Sequence, residues 1–151
     1  MSVGLPDINV LIALAWPSHV HHAPAHAWFA RHAGDGWATC PLTQLGFVRV
    51  SSNPSIIPEA VLPQQALRVL RKIVEHEHHV FWSDDLTLTD QHIPVSQIMG
   101  HRQLTDAYLL GLAIRNGGKL VTLDASISSL LPARDPRQSA VEIIGADKKK
   151  P

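Results

Sequence analysis

Apolar positions are most concentrated between Thr105 and Asp124, where the chain reads TDAYLLGLAIRNGGKLVTLD. The segment Ala107–Ile114 is apolar on every side, which is typical of a buried helix. Thr105 is predicted as the helix N-cap, because its hydroxyl can accept a hydrogen bond from a free N–H of the first turn. The Gly-Gly pair after this segment predicts the helix end, and Lys119–Leu123 is predicted as a short strand.

The helix and strand of this segment carry an acid at each far end. Asp106 lies at the helix start, where a carboxylate suits the positive end of the helix dipole. Roughly ten helical residues rise about 15 Å, and roughly five strand residues return by about the same distance. An antiparallel pair of this kind brings Asp106 and Asp124 to the carboxyl end of the strands, where open α/β sheets bind their ligands.

The remaining hydrophobic pattern predicts short strands that alternate with helices. Strands are predicted at Val3–Pro6, Trp37–Cys40, Val80–Trp82 and Val141–Ile144. Helices are predicted at Asn9–Trp16, His22–His32, Thr43–Val50 (capped by Thr43), Pro63–Glu75 and Ser126–Leu131, with Ser83–Gln103 as a loop containing one helical turn. This alternation predicts an α/β fold with right-handed crossovers and a mainly parallel central sheet flanked by helices. Asp7 then follows the first strand, at the same end of the sheet as the other two acids.

Composition narrows the class of protein only a little. The length of 151 residues fits one domain, which we expect to span residues 1–146 and to leave a frayed tail at 147–151. Lysine plus arginine equals aspartate plus glutamate, so any RNA contact must come from a local patch. The single cysteine suits a reducing compartment, and we expect a cytoplasmic protein without a signal peptide. No apolar run approaches the ~18 residues of a membrane helix, so no membrane association is expected.

Three acids at one end of a sheet repel one another, and a bound cation relieves that repulsion. Carboxylates without cysteines suit a hard ion such as Mg²⁺, with Mn²⁺ as an alternative. A water on such an ion can attack a phosphodiester while the ion stabilises the developing charge. The competing interpretation is that each aspartate simply caps the helix that follows it.

Four segments together resemble the PIN-domain ribonucleases, specifically the VapC-type toxins of toxin–antitoxin pairs. They are LPDINVLIALAW around Asp7, HHAPAHAWFA ending at Ala30, CPLTQLGFVRVSSNP from Cys40, and HRQLTDAYLLGLAIRNGGKLVTLD from His101. The resemblance covers nearly the whole chain. It implies a compact three-layer α/β sandwich, divalent-metal-dependent endonuclease activity on RNA, a homodimer, and inhibition by a cognate antitoxin protein.

The resemblance also assigns site residues. Asp7 matches the first family acid, Asp106 the third and Asp124 the fourth, which makes them the expected catalytic residues and metal ligands. The second family acid is normally a glutamate, and here that position is Gln44. Its amide can offer an oxygen to a metal or to water but supplies no charge and cannot act as a base. Weaker or more substrate-dependent metal binding is therefore expected.

Four further residues are candidates for substrate contact. Asn9 could hold the first acid or a metal-bound water, or simply cap the helix. Arg49, interpreted as lying on the helix face near Gln44, could contact a phosphate or form a structural salt bridge. His101 and Arg102 could contact RNA phosphates from just before the central helix, or belong to a solvated loop.

Other functions are less well supported by the sequence. A PIN domain that binds RNA or its antitoxin without cutting is the main alternative, because Gln44 removes an acid. A phosphatase would usually show D-x-D where this chain has Asp7-Ile8-Asn9. Histidines at i, i+4 and a cluster near position 78 suggest zinc only weakly, since no H-E-x-x-H motif is present.

Overall fold

The computed structural model describes residues 2–145 and has a five-stranded, all-parallel sheet with helices on both faces. The strands are β1 Gly4–Pro6, β2 Trp37–Thr39, β3 His79–Phe81, β4 Lys119–Thr122 and β5 Val141–Ile143. The helices are α1 Ile8–Ala15, α2 His22–His32, α3 Pro41–Ser51, α4 Pro63–Val74 and α5 Leu104–Arg115. Short 3-10 helices lie at Ala33–Asp35, His101–Gln103, Ala125–Leu130 and Pro136–Ala140. The predicted α/β sandwich is confirmed, whereas the tail predicted at 147–151 lies outside the described residues.

The strand order β3-β2-β1-β4-β5 determines which strand ends are neighbours. In β1, Gly4 pairs with Trp37 of β2 on one side and with Lys119 of β4 on the other. The carboxyl ends of β1, β2 and β4 therefore adjoin one another in the middle of the sheet. Side chains that follow these three strands can meet, as expected for parallel strands with right-handed connections.

Residues that alternate along the strands fill two separate cores. Leu5 and Leu120 are fully buried with the apolar residues of α5 on one face of the sheet. Trp37 and Val121 are fully buried on the other face, with side chains of α1, α3 and α4. Each fully buried Leu or Val contributes about 2 kcal/mol of burial free energy. Because the central strands β1, β2 and β4 are buried on both faces, the acids that follow β1 and β4 are held on a rigid frame.

Two predicted helix caps are wrong. α5 begins at Leu104 rather than after Thr105, because the chain enters it directly from a 3-10 turn ending at Gln103. α3 begins at Pro41, whose fixed φ suits the first helical position, so Thr43 lies inside the helix. The Oγ1 of Thr43 instead accepts a hydrogen bond from the N–H of Cys40 at 3.0 Å. The helices themselves were predicted correctly within a few residues.

The end of α5 is a tight turn built on two glycines. Gly117 has a φ of +68°, in the left-handed region that favours glycine. Its N–H donates to the carbonyl of Ile114, and the N–H of Gly118 donates to the carbonyl of Ala113. This pair of bonds is a Schellman motif, which satisfies the free carbonyls of the last helical turn and directs the chain into β4. Within residues 2–145 no helix is both long and apolar enough to span a membrane.

Gly118→Ala is expected to destabilise the fold strongly. A methyl group there would collide with the backbone carbonyl oxygen of Val3 and with the ring of Trp82, at 2.7 Å from its nearest atom. Because a backbone atom cannot move aside cheaply, we expect the free energy of unfolding to fall by about 3 kcal/mol. Urea denaturation measures this change. Gly34→Ala is the matched control, since nothing lies within 4 Å of a methyl group there; equal stability of the two variants would contradict the prediction.

Candidate functional site

Asp7 lies directly after β1 and is buried, with 5% of its surface exposed. It is the N-cap of α1, where its Oδ1 accepts a hydrogen bond from the N–H of Val10 at 3.1 Å. Its Oδ2 accepts a hydrogen bond from the hydroxyl of Thr122 at 2.6 Å. Burial raises the pKa of Asp7 to about 6, and the charges of Asp106 and Asp124 add to the rise, although the two hydrogen bonds oppose it. Hydrogen bonds therefore hold the carboxylate of Asp7 in place, but its surroundings provide little positive charge to balance it.

Asp106 lies in the first turn of α5 and is half-buried. Burial raises its pKa, and the negative charge of Asp124 raises it further. No basic side chain within residues 2–145 forms an ion pair with Asp106. Its position at the helix N-terminus is as predicted, and its interaction with another acid indicates that the two carboxylates lie near each other.

Asp124 follows β4 and is exposed. It caps the 3-10 helix Ala125–Leu130, because its Oδ1 accepts hydrogen bonds from the N–H and the hydroxyl of Ser126 at 2.9 and 2.7 Å. Its own N–H donates to the hydroxyl oxygen of Thr122 at 2.9 Å. Thr122 thus bridges Asp7 and Asp124 across adjacent strands.

The three acids lie at the carboxyl end of the sheet and act on one another electrostatically. We call Asp7, Asp106 and Asp124 the acid rim. In the described part of the chain, no three histidine, cysteine, aspartate or glutamate side chains stand in an arrangement that could hold a metal ion. The donors nonetheless suit a hard cation, because Mg²⁺ usually binds one or two carboxylates directly and keeps several waters. These carboxylates repel one another, and no basic side chain among residues 2–145 forms an ion pair with them, so a bound cation would relieve the repulsion.

Gln44 lies in the first turn of α3, immediately after β2, and is half-buried. Its Nε2 donates a hydrogen bond at 3.0 Å to the hydroxyl oxygen of Thr39, the last residue of β2. Among the hydrogen bonds of residues 2–145, none involves the Oε1 of Gln44. The amide therefore lies beside the carboxyl end of β2, next to β1, with its oxygen available.

The four candidate substrate-contact residues are all exposed but lie on different elements. His101 and Arg102 are exposed in the 3-10 turn directly before α5, so they flank Asp106 along the chain. Asn9 is exposed and does not cap α1, since Asp7 does. Arg49 is exposed five residues after Gln44, about 140° around the helix. The prediction that Arg49 shares a helix face with Gln44 is therefore wrong.

The threonines that support the site are not among the residues predicted from the sequence. Thr122 and Thr39 are both fully buried, and each ends a strand. A polar residue that closes an otherwise apolar strand was the available signal, as in the run KLVT before Leu123.

Several histidines also have structural partners. The ring of His22 lies 2.7 Å from the carbonyl of Ala13, and His76 accepts a hydrogen bond from the indole of Trp37 at 3.3 Å.

Comparisons with known proteins agree with this architecture. The family model described as PIN domain matches residues 5–130. Ribonuclease VapC38 of Mycobacterium tuberculosis (strain ATCC 25618 / H37Rv) is 49% identical over 132 residues, covering 87% of this chain and 92% of the relative. Ribonuclease VapC39 of that strain is 44% identical over 126 residues, covering 83% and 91%. Ribonuclease VapC29 is 38% identical over 126 residues, covering 83% and 89%. The resemblance seen in the motifs is confirmed, and the chain belongs to the PIN-domain family, within its VapC-type group.

Proposed function

We propose that this protein is a Mg²⁺-dependent endoribonuclease that acts as the toxin of a toxin–antitoxin pair. The acid rim carries the proposal, because Asp7 and Asp124 follow the adjacent parallel strands β1 and β4, are joined through Thr122, and are accompanied by Asp106 in the first turn of α5. Relatives named as ribonucleases support RNA as the substrate. A rim of oxygen donors with unrelieved negative charge is suited to a hard cation and, through it, to a phosphodiester.

The residues of the chain have distinct roles in this proposal. Asp7 and Asp106 would be the main metal ligands, and Asp124 and Gln44 would complete the oxygen donors. When bound, Mg²⁺ supplies a more acidic water and stabilises the charge that develops during phosphodiester hydrolysis. Thr122 donates a hydrogen bond to Asp7 and so orients its carboxylate. Mn²⁺ meets the same requirements and is a suitable replacement in assays.

Recognition of RNA would rely on a local group of basic side chains. The formal net charge is zero, so no general attraction to nucleic acid is available. His101 and Arg102 are exposed beside the start of α5, which also carries Asp106. Phosphate contacts there would position a strand for cleavage without reading its sequence.

The proposed partners rest on the resemblance to VapC-type toxins. We propose a cognate antitoxin protein that inhibits the nuclease, and a homodimer of the toxin. An aromatic ring of Trp28 or Phe29 that faced outward or across an interface would support the dimer. Trp28 is only 4% exposed, and Phe29 packs on Trp37 with ring centroids 5.3 Å apart, so these rings give no support to the dimer.

A second function, binding of RNA or antitoxin without cleavage, is favoured by one observation. Gln44 stands where the family usually has a glutamate, and its Nε2 is already bonded to Thr39. One charge fewer weakens attraction for the cation. If the remaining three acids fail to bind a metal, the protein would retain only its binding surfaces.

Asp106→Asn is expected to lower Mg²⁺-dependent RNA cleavage at least a hundredfold. The change removes a proposed ligand charge while keeping the shape of the side chain. The assay follows cleavage of a generic RNA with Mg²⁺, with Mn²⁺ and with EDTA, and circular dichroism checks the fold. Asp35→Asn is the matched control, because Asp35 is exposed in the turn before β2, at the opposite end of the strands.

Two outcomes would count against the nuclease proposal. Cleavage that persists in EDTA, or in Asp106→Asn, would remove the metal site from the reaction. RNA binding by the parent protein without cleavage at any Mg²⁺ or Mn²⁺ concentration would favour the binding function instead.

A further inference from the structure

The hydroxyl of Thr39 lies between two side chains at the end of β2. Its Oγ1 is 3.0 Å from the Nε2 of Gln44 and 2.7 Å from the Nε2 of His79. Thr39 is fully buried, so its hydroxyl has no access to solvent. The three groups form a chain of hydrogen bonds that runs from β3 through β2 to the first turn of α3.

Two directions of donation leave no proton of this chain without an acceptor. A threonine hydroxyl has one proton to donate, and its oxygen can accept two hydrogen bonds. If the amide of Gln44 donates to Thr39, the hydroxyl proton must go to a His79 that carries its own proton on Nδ1. If His79 donates from Nε2 instead, Thr39 must donate to Gln44, and the amide has to turn its oxygen inward. Donation to Thr39 by both Gln44 and His79 would leave the buried hydroxyl proton without an acceptor among residues 2–145, which is costly. The tautomer of His79 therefore favours one end of the Gln44 amide as the free end.

We propose that His79 is a positioning residue that acts through Thr39 to keep the Oε1 of Gln44 free for the cation at the acid rim. The inference rests on the proposed function, since it gives Gln44 its value as a neutral oxygen donor in place of the family glutamate. A glutamate would need no such control, because both of its oxygens accept. An amide has one oxygen and one NH₂, and the NH₂ end would repel a cation.

The surroundings of His79 suit this role. Its ring packs edge-on against Trp37, with centroids 4.8 Å apart, and Trp37 is fully buried. Trp37 is in turn held by its hydrogen bond to His76. Burial lowers the pKa of His79, and the neighbouring His76 lowers it further, so a lone pair remains available to accept the proton of Thr39. The ring is therefore fixed in place and kept neutral.

The test measures Mn²⁺ affinity without RNA, by electron paramagnetic resonance, alongside the fold by circular dichroism. Thr39→Val keeps the shape of the side chain and removes the hydroxyl, and we expect the Mn²⁺ dissociation constant to rise about fivefold. Thr39→Ser keeps the hydroxyl and should stay within about twofold of the parent. His79→Phe keeps the packing on Trp37 but accepts no hydrogen bond, and should match Thr39→Val.

A double-mutant cycle separates positioning from a general structural effect. In a Gln44→Ala background, Thr39→Val should cause no further loss of Mn²⁺ affinity, because there is no amide left to orient. The same loss in both backgrounds, or no loss in the parent, would overturn the proposal.

A nuclear magnetic resonance experiment tests the hydrogen-bond chain independently of any metal. Nitrogen-15 spectra should find the proton of neutral His79 on Nδ1, and the side-chain amide protons of Gln44 should exchange faster in Thr39→Val. A proton on Nε2 would overturn the inference. If the parent binds no Mn²⁺, the proposed metal site fails, and these spectra alone decide whether His79 orients the amide.

Discussion

Asp7→Asn should abolish RNA cleavage and, near neutral pH, should remove a stability penalty from the metal-free protein. The carboxylate is buried and its pKa is raised from 3.8 to about 6. An acid whose pKa is raised by folding favours its protonated form in the folded state. Stability that is present below about pH 4 is therefore lost as the pH rises through about 6. The shift of roughly two pKa units corresponds to about 3 kcal/mol in the fully ionised protein.

Urea unfolding in EDTA, from about pH 4.5 to about pH 8, measures this effect. The parent should lose stability across this window, and the difference between parent and Asp7→Asn should change by about 2 kcal/mol within it, because the remainder of the total is lost below about pH 4.5. The variant also alters the hydrogen bonds to Val10 and Thr122, so the change with pH is the informative quantity. Asp35→Asn is again the control, and it should follow the parent. Parallel curves of unfolding free energy against pH for parent and Asp7→Asn would show that ionisation of Asp7 does not destabilise the folded protein.

Added Mg²⁺ should have opposite consequences for the two proteins. A ligand that binds only the folded state stabilises it in proportion to the logarithm of its concentration over the dissociation constant. The parent should therefore recover stability on addition of Mg²⁺, whereas Asp7→Asn should not respond. This pairing ties the loss of cleavage to the loss of the metal rather than to misfolding.

Gln44→Glu is expected to lower the Mg²⁺ concentration needed for half-maximal cleavage by about tenfold. The added charge strengthens attraction to a cation close by, in surroundings where charges are only partly screened. The same charge should make the metal-free protein less stable, because a fourth acid adds to the repulsion within the rim. Gln44→Ala is the matched comparison, and it should reduce cleavage only partly because three acids remain.

A Mg²⁺ titration of RNA cleavage by parent, Gln44→Glu and Gln44→Ala decides the point. An unchanged requirement in Gln44→Glu would mean that the side chain does not face the ion. Cleavage by Gln44→Glu from a parent that never cuts would identify the natural chain as a binding protein.

The frame of the site could be predicted from sequence because it depends on local pattern. The apolar run from Ala107 to Ile114 could only be a buried helix, and the strand after it had to return to the same end of the sheet. The lengths of the helix and of the strand therefore predict that Asp106 and Asp124 lie at the same end of the sheet. Asp7 followed from the alternation of strands and helices.

The supporting details could not be predicted, because they depend on contacts between distant parts of the chain. The hydrogen bond from Thr122 to Asp7 spans 115 residues, and the one between Thr39 and His79 spans 40. The predicted starts of α3 and α5 are wrong for a different reason. A proline at position 41 begins α3 and a 3-10 turn ending at Gln103 leads into α5, so neither helix begins at the nearby threonine. Arg49 does not share a helix face with Gln44 because five residues of α-helix turn the chain by about 140° beyond a full turn.

The pairing of β1 with β4 has a consequence for the order in which the protein becomes active during its synthesis. β1 leaves the ribosome well before its neighbour in the sheet, which begins only at Lys119. Neither the bridge from Thr122 to Asp7 nor the third acid exists until that late segment has emerged. Chains usually fold as whole units once their long-range contacts are available. A nascent or prematurely terminated chain that ends before Lys119 would thus carry Asp7 but no assembled acid rim.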